Sequence, residues 1–191
     1  MQVDQIFLNI IGYLKQIYNF PFFYSLVIMS GIYICYLLPD FFRKQKRHTR
    51  GQKLVMLLYA FYLSQVFGIT LLNRTPETDY RYNLNPFAVY QIAFNGNSVF
   101  MTQLVANIVM FVPLGIFAPI CFPNIRSFLE MALIALTASM VIETLQLLTH
   151  TGLYEVVDLI NNTAGGLIGY GLYRIGSAIF TSLRSPFAKR D

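Results

Sequence analysis

Uncharged stretches about as long as a membrane span dominate the chain. A bilayer core about 30 Å thick needs roughly 20 helical residues. Three windows of that length contain no Asp, Glu, Lys or Arg: residues 21–39, 54–72 and 99–122. Two more windows are long enough but carry two charged residues each: residues 127–149 and 157–177. The pattern predicts five transmembrane helices.

The first 20 residues show a different pattern. Apolar side chains recur at helical spacing on one face: Phe7, Ile10, Ile11, Leu14 and Tyr18. A helix with one apolar face is typical of a segment that lies in the membrane surface. We therefore expect an all-α fold, with an interfacial helix in residues 1–20, a polytopic transmembrane bundle in 21–180 and a cytoplasmic tail in 181–191.

The composition agrees with a lipid environment. Of the 191 residues, 55% are hydrophobic and 12% are charged, whereas roughly 25% of residues are charged in soluble domains. The two cysteines, Cys35 and Cys121, both lie in apolar runs. A disulfide scaffold is therefore not expected.

The net charge of +5 is explained by topology. Most of the basic residues fall on one predicted side of the membrane: Arg43, Lys44, Lys46, Arg47, Arg50, Lys53, Arg126, Arg174, Arg184, Lys189 and Arg190. The other side has Lys15, Arg74 and Arg81. Because basic loops are retained in the cytoplasm, we expect the N-terminus and segment 73–98 outside and the C-terminus inside. No nucleic-acid partner is needed to explain the charge.

Polar side chains interrupt the last three windows. Insertion of an ionisable group near the bilayer centre costs at least about 2.5 to 3.5 kcal/mol, so each such residue requires a structural or functional explanation. Glu143 lies six residues before the end of the fourth window, and Asp158 and Asn162 share a helix face at the start of the fifth. Asn107 lies eight residues inside the third window. These depths are similar when counted from the predicted outer side, which predicts one polar pocket that opens outwards.

Two further residues belong to this predicted pocket. Gln146 follows Glu143 by three residues and therefore lies on the same helix face. Arg81 is by topology the nearest counter-charge for the two acids, which cannot both stay ionised cheaply at close range. A structural role is the alternative: the amides can bridge helices, and the acids can form a buried salt bridge with Arg81 or Arg74.

Other interpretations of these residues are less well supported. Glu143, His150 and Asp158 could hold a metal, but no paired ligand motif is present. We therefore expect neither a metal nor a cofactor. Gly165 and Gly169 lie four residues apart inside an apolar window, which favours close helix packing within the bundle over a dimer interface or a phosphate-binding loop.

Three segments resemble the VanZ-like family of bacterial membrane proteins. They are Arg81-Tyr82-Asn83-Leu84-Asn85-Pro86-Phe87, Asn107-Ile108-Val109-Met110-Phe111-Val112-Pro113-Leu114-Gly115, and Glu143-x-x-Gln146 followed by Asp158-x-x-x-Asn162-x-x-Gly165-Gly166. The resemblance covers roughly residues 55–175. It implies a multi-pass protein of the bacterial cell membrane that protects against teicoplanin or related lipoglycopeptides. The motif residues are also the expected ligand-binding residues: Arg81, Asn83, Asn107, Glu143, Gln146, Asp158 and Asn162.

Three functions stay open at this point. In the first, the outward pocket binds a lipid headgroup, a cell-wall precursor or the antibiotic. In the second, the protein is an intramembrane enzyme that modifies a lipid-linked substrate, with Glu143 and Asp158 as acid and base. In the third, it is a small transporter or a transporter subunit that uses the two acids as a proton relay. Membrane lipids are the expected partners in each case.

Overall fold

The computed structural model describes residues 49–72 and 82–184, with isolated positions between residues 7 and 35. As predicted, the chain is mostly helical in this part. The elements are α1 (Arg50–Phe67), a π-helical turn (Gly68–Leu72), β1 (Tyr82–Asn83), α2 (Pro86–Phe94), α3 (Ser98–Cys121), α4 (Phe128–Leu148), β2 (Tyr154–Glu155) and α5 (Val156–Arg184). The predicted interfacial helix, the first predicted span and Arg81 lie largely or wholly outside the described residues.

The helices begin at residues that cap free backbone N–H groups. Thr49 and Ser127 form capping boxes with Gln52 and Glu130 at the starts of α1 and α4. Asn97 accepts hydrogen bonds from the first turn of α3. The Asn97 and Ser127 caps directly precede apolar runs, so local sequence and membrane-length hydrophobicity agree on where these two helices start.

Three helical segments are long and apolar enough to cross a membrane: Gly51–Leu72, Ser98–Cys121 and Phe128–Leu148. They match three of the five predicted windows. The fifth window lies within α5, which has 29 residues and is therefore about 43 Å long at 1.5 Å per residue. The described residues do not test the count of five spans, which stays a prediction.

α5 packs against both α3 and α4. Glycines bring the backbones of α3 and α5 into contact, with Gly165 against the Ile108 carbonyl and Gly169 against the Val112 carbonyl. Because both numbers increase together, the two helices run parallel. The predicted packing of these glycines inside the bundle is confirmed. On its other side, α5 places Gly166 against Ala135 of α4.

A hydrophobic cluster fills the space between these three helices. Its buried members are Phe111, Leu114, Ala118, Met131, Ala135 and Tyr170. α4 runs antiparallel to α5, because Phe128 contacts Tyr170 while Ser139, further along α4, contacts Asn162. We call the end of the bundle where α4 ends and α3 and α5 begin the polar end.

Two strands at the polar end were not anticipated by the all-α prediction. β1 and β2 pair in parallel, with Tyr82 opposite Tyr154 and Asn83 opposite Glu155. Each strand has two residues, too few to show an alternating pattern in the sequence. The pairing satisfies backbone groups of the loops that precede α2 and α5.

Candidate functional site

Glu143 is the most deeply buried acid that the structure describes, with 2% of its surface exposed. Its Oε2 atom accepts a hydrogen bond from the backbone N–H of Glu155 at 3.0 Å. A carboxylate that accepts a backbone N–H makes a charge-assisted hydrogen bond, which is stronger than a neutral one. Glu143 therefore ties the end of α4 to the strand pair.

Asn83 and Glu155 connect the two strands through their side chains. The Asn83 Nδ2 atom donates to Oε1 of Glu155 at 3.3 Å, and the Asn83 Oδ1 atom accepts from the backbone N–H of Asn85 at 3.2 Å. Asn85 then caps α2, where Pro86 occupies the first turn. The predicted site residue Asn83 thus links β1, β2 and the start of α2.

Asn162 connects α5 to α4 one turn below Glu143. Its Nδ2 atom donates to the Ser139 hydroxyl at 2.9 Å, and 2% of the residue is exposed. Its Oδ1 atom is buried and has no hydrogen-bond partner among the described residues. Because the two helices are antiparallel, the positions one turn closer to the polar end, Glu143 and Asp158, lie at the same level of the bundle.

Asn161 is the second buried amide on α5. Its Oδ1 atom accepts from the Tyr90 hydroxyl of α2 at 2.9 Å. Its Nδ2 atom is buried, and no acceptor for it occurs in the part of the chain that the structure describes. Burial, and secondarily the Asp158 carboxylate, raises the pKa of Tyr90, so the phenol is protonated at neutral pH and able to donate.

Gln146 contacts the π-helical turn. Its Nε2 atom donates to the Thr70 carbonyl at 3.0 Å, and both residues are buried. A π-helical turn leaves backbone carbonyls without their usual helical donors, and such turns are frequent at functional sites. Gln146 supplies one of these donors and so joins the end of α1 to the end of α4.

Two predicted residues are not part of this network as described. Asn107 is half-buried, and its side chain makes no hydrogen bond within the described residues. Arg81 falls in the segment 73–81, outside the described residues. His150, two residues after the end of α4, has the left-handed conformation with φ of 58°, which His adopts more readily than most residues. Within the described ranges, no three His, Cys, Asp or Glu residues are grouped closely enough to hold a metal ion.

The structure adds Ser139 and Tyr90 to the polar end. Ser139 lies four residues before Glu143 on the same helix face, and this spacing could have identified it. Tyr90 lies in the short apolar run that forms α2, and the sequence carries no signal of its bond to Asn161. Its role depends on the packing of α2 against α5, which no local pattern predicts.

A family model described as VanZ/LLP1 matches residues 22–179. The chain belongs to the VanZ/LLP1 family. Protein VanZ of Enterococcus faecium is 30% identical over 95 residues, which make up 50% of this chain and 53% of that protein. The chain thus spans about half the length of the curated relative it matches. No solved structure gives a significant match.

The family match confirms the resemblance to VanZ-like proteins. It also begins well before residue 55, where the motif-based resemblance starts, so it includes the first predicted span. Membership in the VanZ/LLP1 family and the three long apolar helices identify the chain as a membrane protein. The binding roles of the motif residues stay predictions.

Proposed function

We propose that the polar end of the bundle faces the outside of a bacterial cell and binds the polar part of a ligand, thereby protecting the cell against teicoplanin or a related lipoglycopeptide. The ligand is a lipid headgroup, a cell-wall precursor or the antibiotic. The observation that carries the proposal is a pair of buried, unsatisfied amide atoms on adjacent residues of α5, one helical turn from the level of Glu143, namely Asn161 Nδ2 and Asn162 Oδ1 within the described structure.

Unsatisfied atoms of this kind are costly. A buried donor or acceptor without a partner costs about 1 to 3 kcal/mol, so native proteins contain few of them. One of the two atoms is a donor and the other is an acceptor. A carbonyl or ether oxygen of a ligand could satisfy the donor, and a hydroxyl or amine could satisfy the acceptor.

Membership in the VanZ/LLP1 family and the similarity to Protein VanZ of Enterococcus faecium support the resistance part of the proposal. The outward orientation is supported by the sequence. No Lys or Arg occurs in residues 82–125 or 127–173, whereas Arg126 and Arg174 lie toward the opposite end of the bundle. Basic residues mark the cytoplasmic side, which supports the proposal that the polar end faces outwards.

Loss of the Glu143 carboxylate tests the proposal. Glu143→Gln keeps the shape of the side chain and an oxygen that can accept the Glu155 N–H, but it removes the ionisable carboxyl group. We expect it to remove most of the protection against teicoplanin, measured as the minimum inhibitory concentration in expressing cells at equal protein level.

Glu130→Gln is the matched control, because it makes the same change at the other end of α4. Glu130 is exposed and belongs to the capping box with Ser127, in which Gln also functions. We expect full protection from this variant. Full protection from Glu143→Gln as well would contradict the proposal, and an altered lipid or precursor species in expressing cells would favour an enzyme instead.

Cysteine labelling of intact cells tests the orientation separately. In a background of Cys35→Ser and Cys121→Ala, an impermeant maleimide should label Leu153→Cys, which replaces an exposed side chain at the polar end. Asn124→Cys, in the exposed loop between α3 and α4, should react only after permeabilisation. The reverse pattern would show that the polar end is cytoplasmic.

A further inference from the structure

α2 exposes apolar side chains on one face while the other face is buried. Val89 and Ala93 pack against Leu104 of α3 and Val157 of α5. On the opposite side, Phe87 is 80% exposed and Phe94 is 73% exposed. Neighbouring exposed aromatic side chains of this size indicate contact with an apolar partner.

The bilayer is the partner that the surroundings of α2 indicate. Residues 82–125 contain no Asp, Glu, Lys or Arg. α2 has nine residues and is therefore too short to span a bilayer. It is joined by a tight turn at Gly96 to the span α3, whose first turn exposes Val99. The apolar face of α2 thus continues into the lipid-facing surface of α3, at the level where aromatic residues favour the membrane interface.

Tyr90 connects this apolar face to the buried amides. Its ring stacks on Phe94, with ring centroids 6.5 Å apart and planes inclined at 25°. Its hydroxyl donates to Asn161, whose own Nδ2 atom has no acceptor in the described structure. The Tyr90 side chain therefore extends from the exposed Phe94 ring to the buried Asn161 amide, whose Nδ2 atom is unsatisfied in the described structure.

We infer that the ligand of the polar end is an amphiphile resident in the membrane, which enters from the bilayer beside α2. Its apolar tail lies against Phe87 and Phe94, and its hydrogen-bonding head reaches the Asn161 amide past Tyr90. This inference rests on the proposed function and specifies the ligand class. A purely water-soluble ligand would have no use for the exposed face of α2.

The contact with lipid can be tested independently of any ligand. The chain has no Trp, so Phe94→Trp introduces a single tryptophan, whose fluorescence can be excited selectively. In phosphatidylcholine vesicles we expect brominated acyl chains to quench it strongly and aqueous iodide to quench it weakly. Asn124→Trp, in the exposed loop between α3 and α4, is the control and should show the opposite. Quenching of Phe94→Trp by iodide but not by brominated lipid would overturn the inference.

The proposed entry route can be tested by measuring protection against teicoplanin in expressing cells. Phe94→Ser should lower protection against teicoplanin as Glu143→Gln does, whereas Ile179→Ser should not, although it changes an exposed apolar side chain at the far end of α5. All variants are compared at equal amounts of folded protein. Loss of protection in Glu143→Gln with full protection in Phe94→Ser would overturn the entry route alone. Full protection in Glu143→Gln would refute the proposed function itself.

Discussion

α5 contacts its neighbours in two different ways over a short distance. At Gly165 and Gly169 its backbone touches the backbone of α3, so that a Cβ atom on either glycine would collide with a carbonyl oxygen. One turn earlier, Asn161 and Asn162 are equally buried, yet each keeps an amide atom without a partner among the described residues. The backbones are in direct contact at the two glycines, whereas the two asparagines have buried polar atoms without a hydrogen bond in the described structure.

The difference indicates a division of roles within one helix. Close backbone packing holds α3 and α5 at a fixed distance and so fixes the position of the α5 backbone that carries both amides. Side chains held in place by a rigid frame are what a binding site needs. Buried polar atoms that lower stability are expected where function retains them.

Breaking the packed region should have the largest effect on stability. In Gly169→Ala the new methyl group meets the Val112 carbonyl, which belongs to a helix backbone and cannot move away easily. Overpacking of this kind typically costs about 1 to 3 kcal/mol, and backbone contact places this site at the upper end. Thermal unfolding in detergent should show the loss.

Gly171→Ala provides the comparison, since nothing lies within 4 Å of a Cβ atom at that position. Alanine is favoured over glycine inside a helix by about 1 kcal/mol, so this variant should be at least as stable as the wild type. Equal stability of the two variants would contradict the packing described for Gly169.

Removing the Tyr90 hydroxyl should have a smaller effect. Tyr90→Phe loses the bond to Asn161, which is worth about 1 kcal/mol. The pKa of Tyr90 is raised above its ordinary value of 10.0, so its contribution to stability is complete below pH 10 and is lost as the pH rises further.

The stability difference between wild type and Tyr90→Phe should therefore be constant from pH 6 to 9 and decrease above pH 10, as measured by unfolding over that range. A difference that grows at alkaline pH would contradict this assignment.

The sequence predicted the long helices well because two independent signals agree there. Windows 99–122 and 127–149 differ by at most one residue at either end from α3 and α4, whose starts are also marked by Asn97 and Ser127 caps. α2 was missed because its nine residues show no regular alternation of apolar and polar faces and are too few to define a span. The strand pair was missed because it depends on contacts between residues far apart in the chain.

Prediction of the site had similar limits. Glu143 and Asn162 stood out because polar residues are costly within apolar windows. The structure shows Glu143 bonded to a backbone N–H and Gln146 bonded to the π-helical turn, and neither partner could be identified from side-chain spacing. Asn107 is also a polar residue within an apolar window, yet its side chain makes no hydrogen bond within the described residues.

The central claim is that the unsatisfied amides serve ligand binding and not stability, and Asn162→Leu tests it most directly. The substitution removes the unpaired Oδ1 atom together with the bond to Ser139. These effects oppose each other, so the free energy of unfolding should change by less than about 1 kcal/mol. Unfolding and teicoplanin susceptibility are measured on the same variant. The account predicts near-normal stability with loss of protection, and full protection at near-normal stability would contradict it.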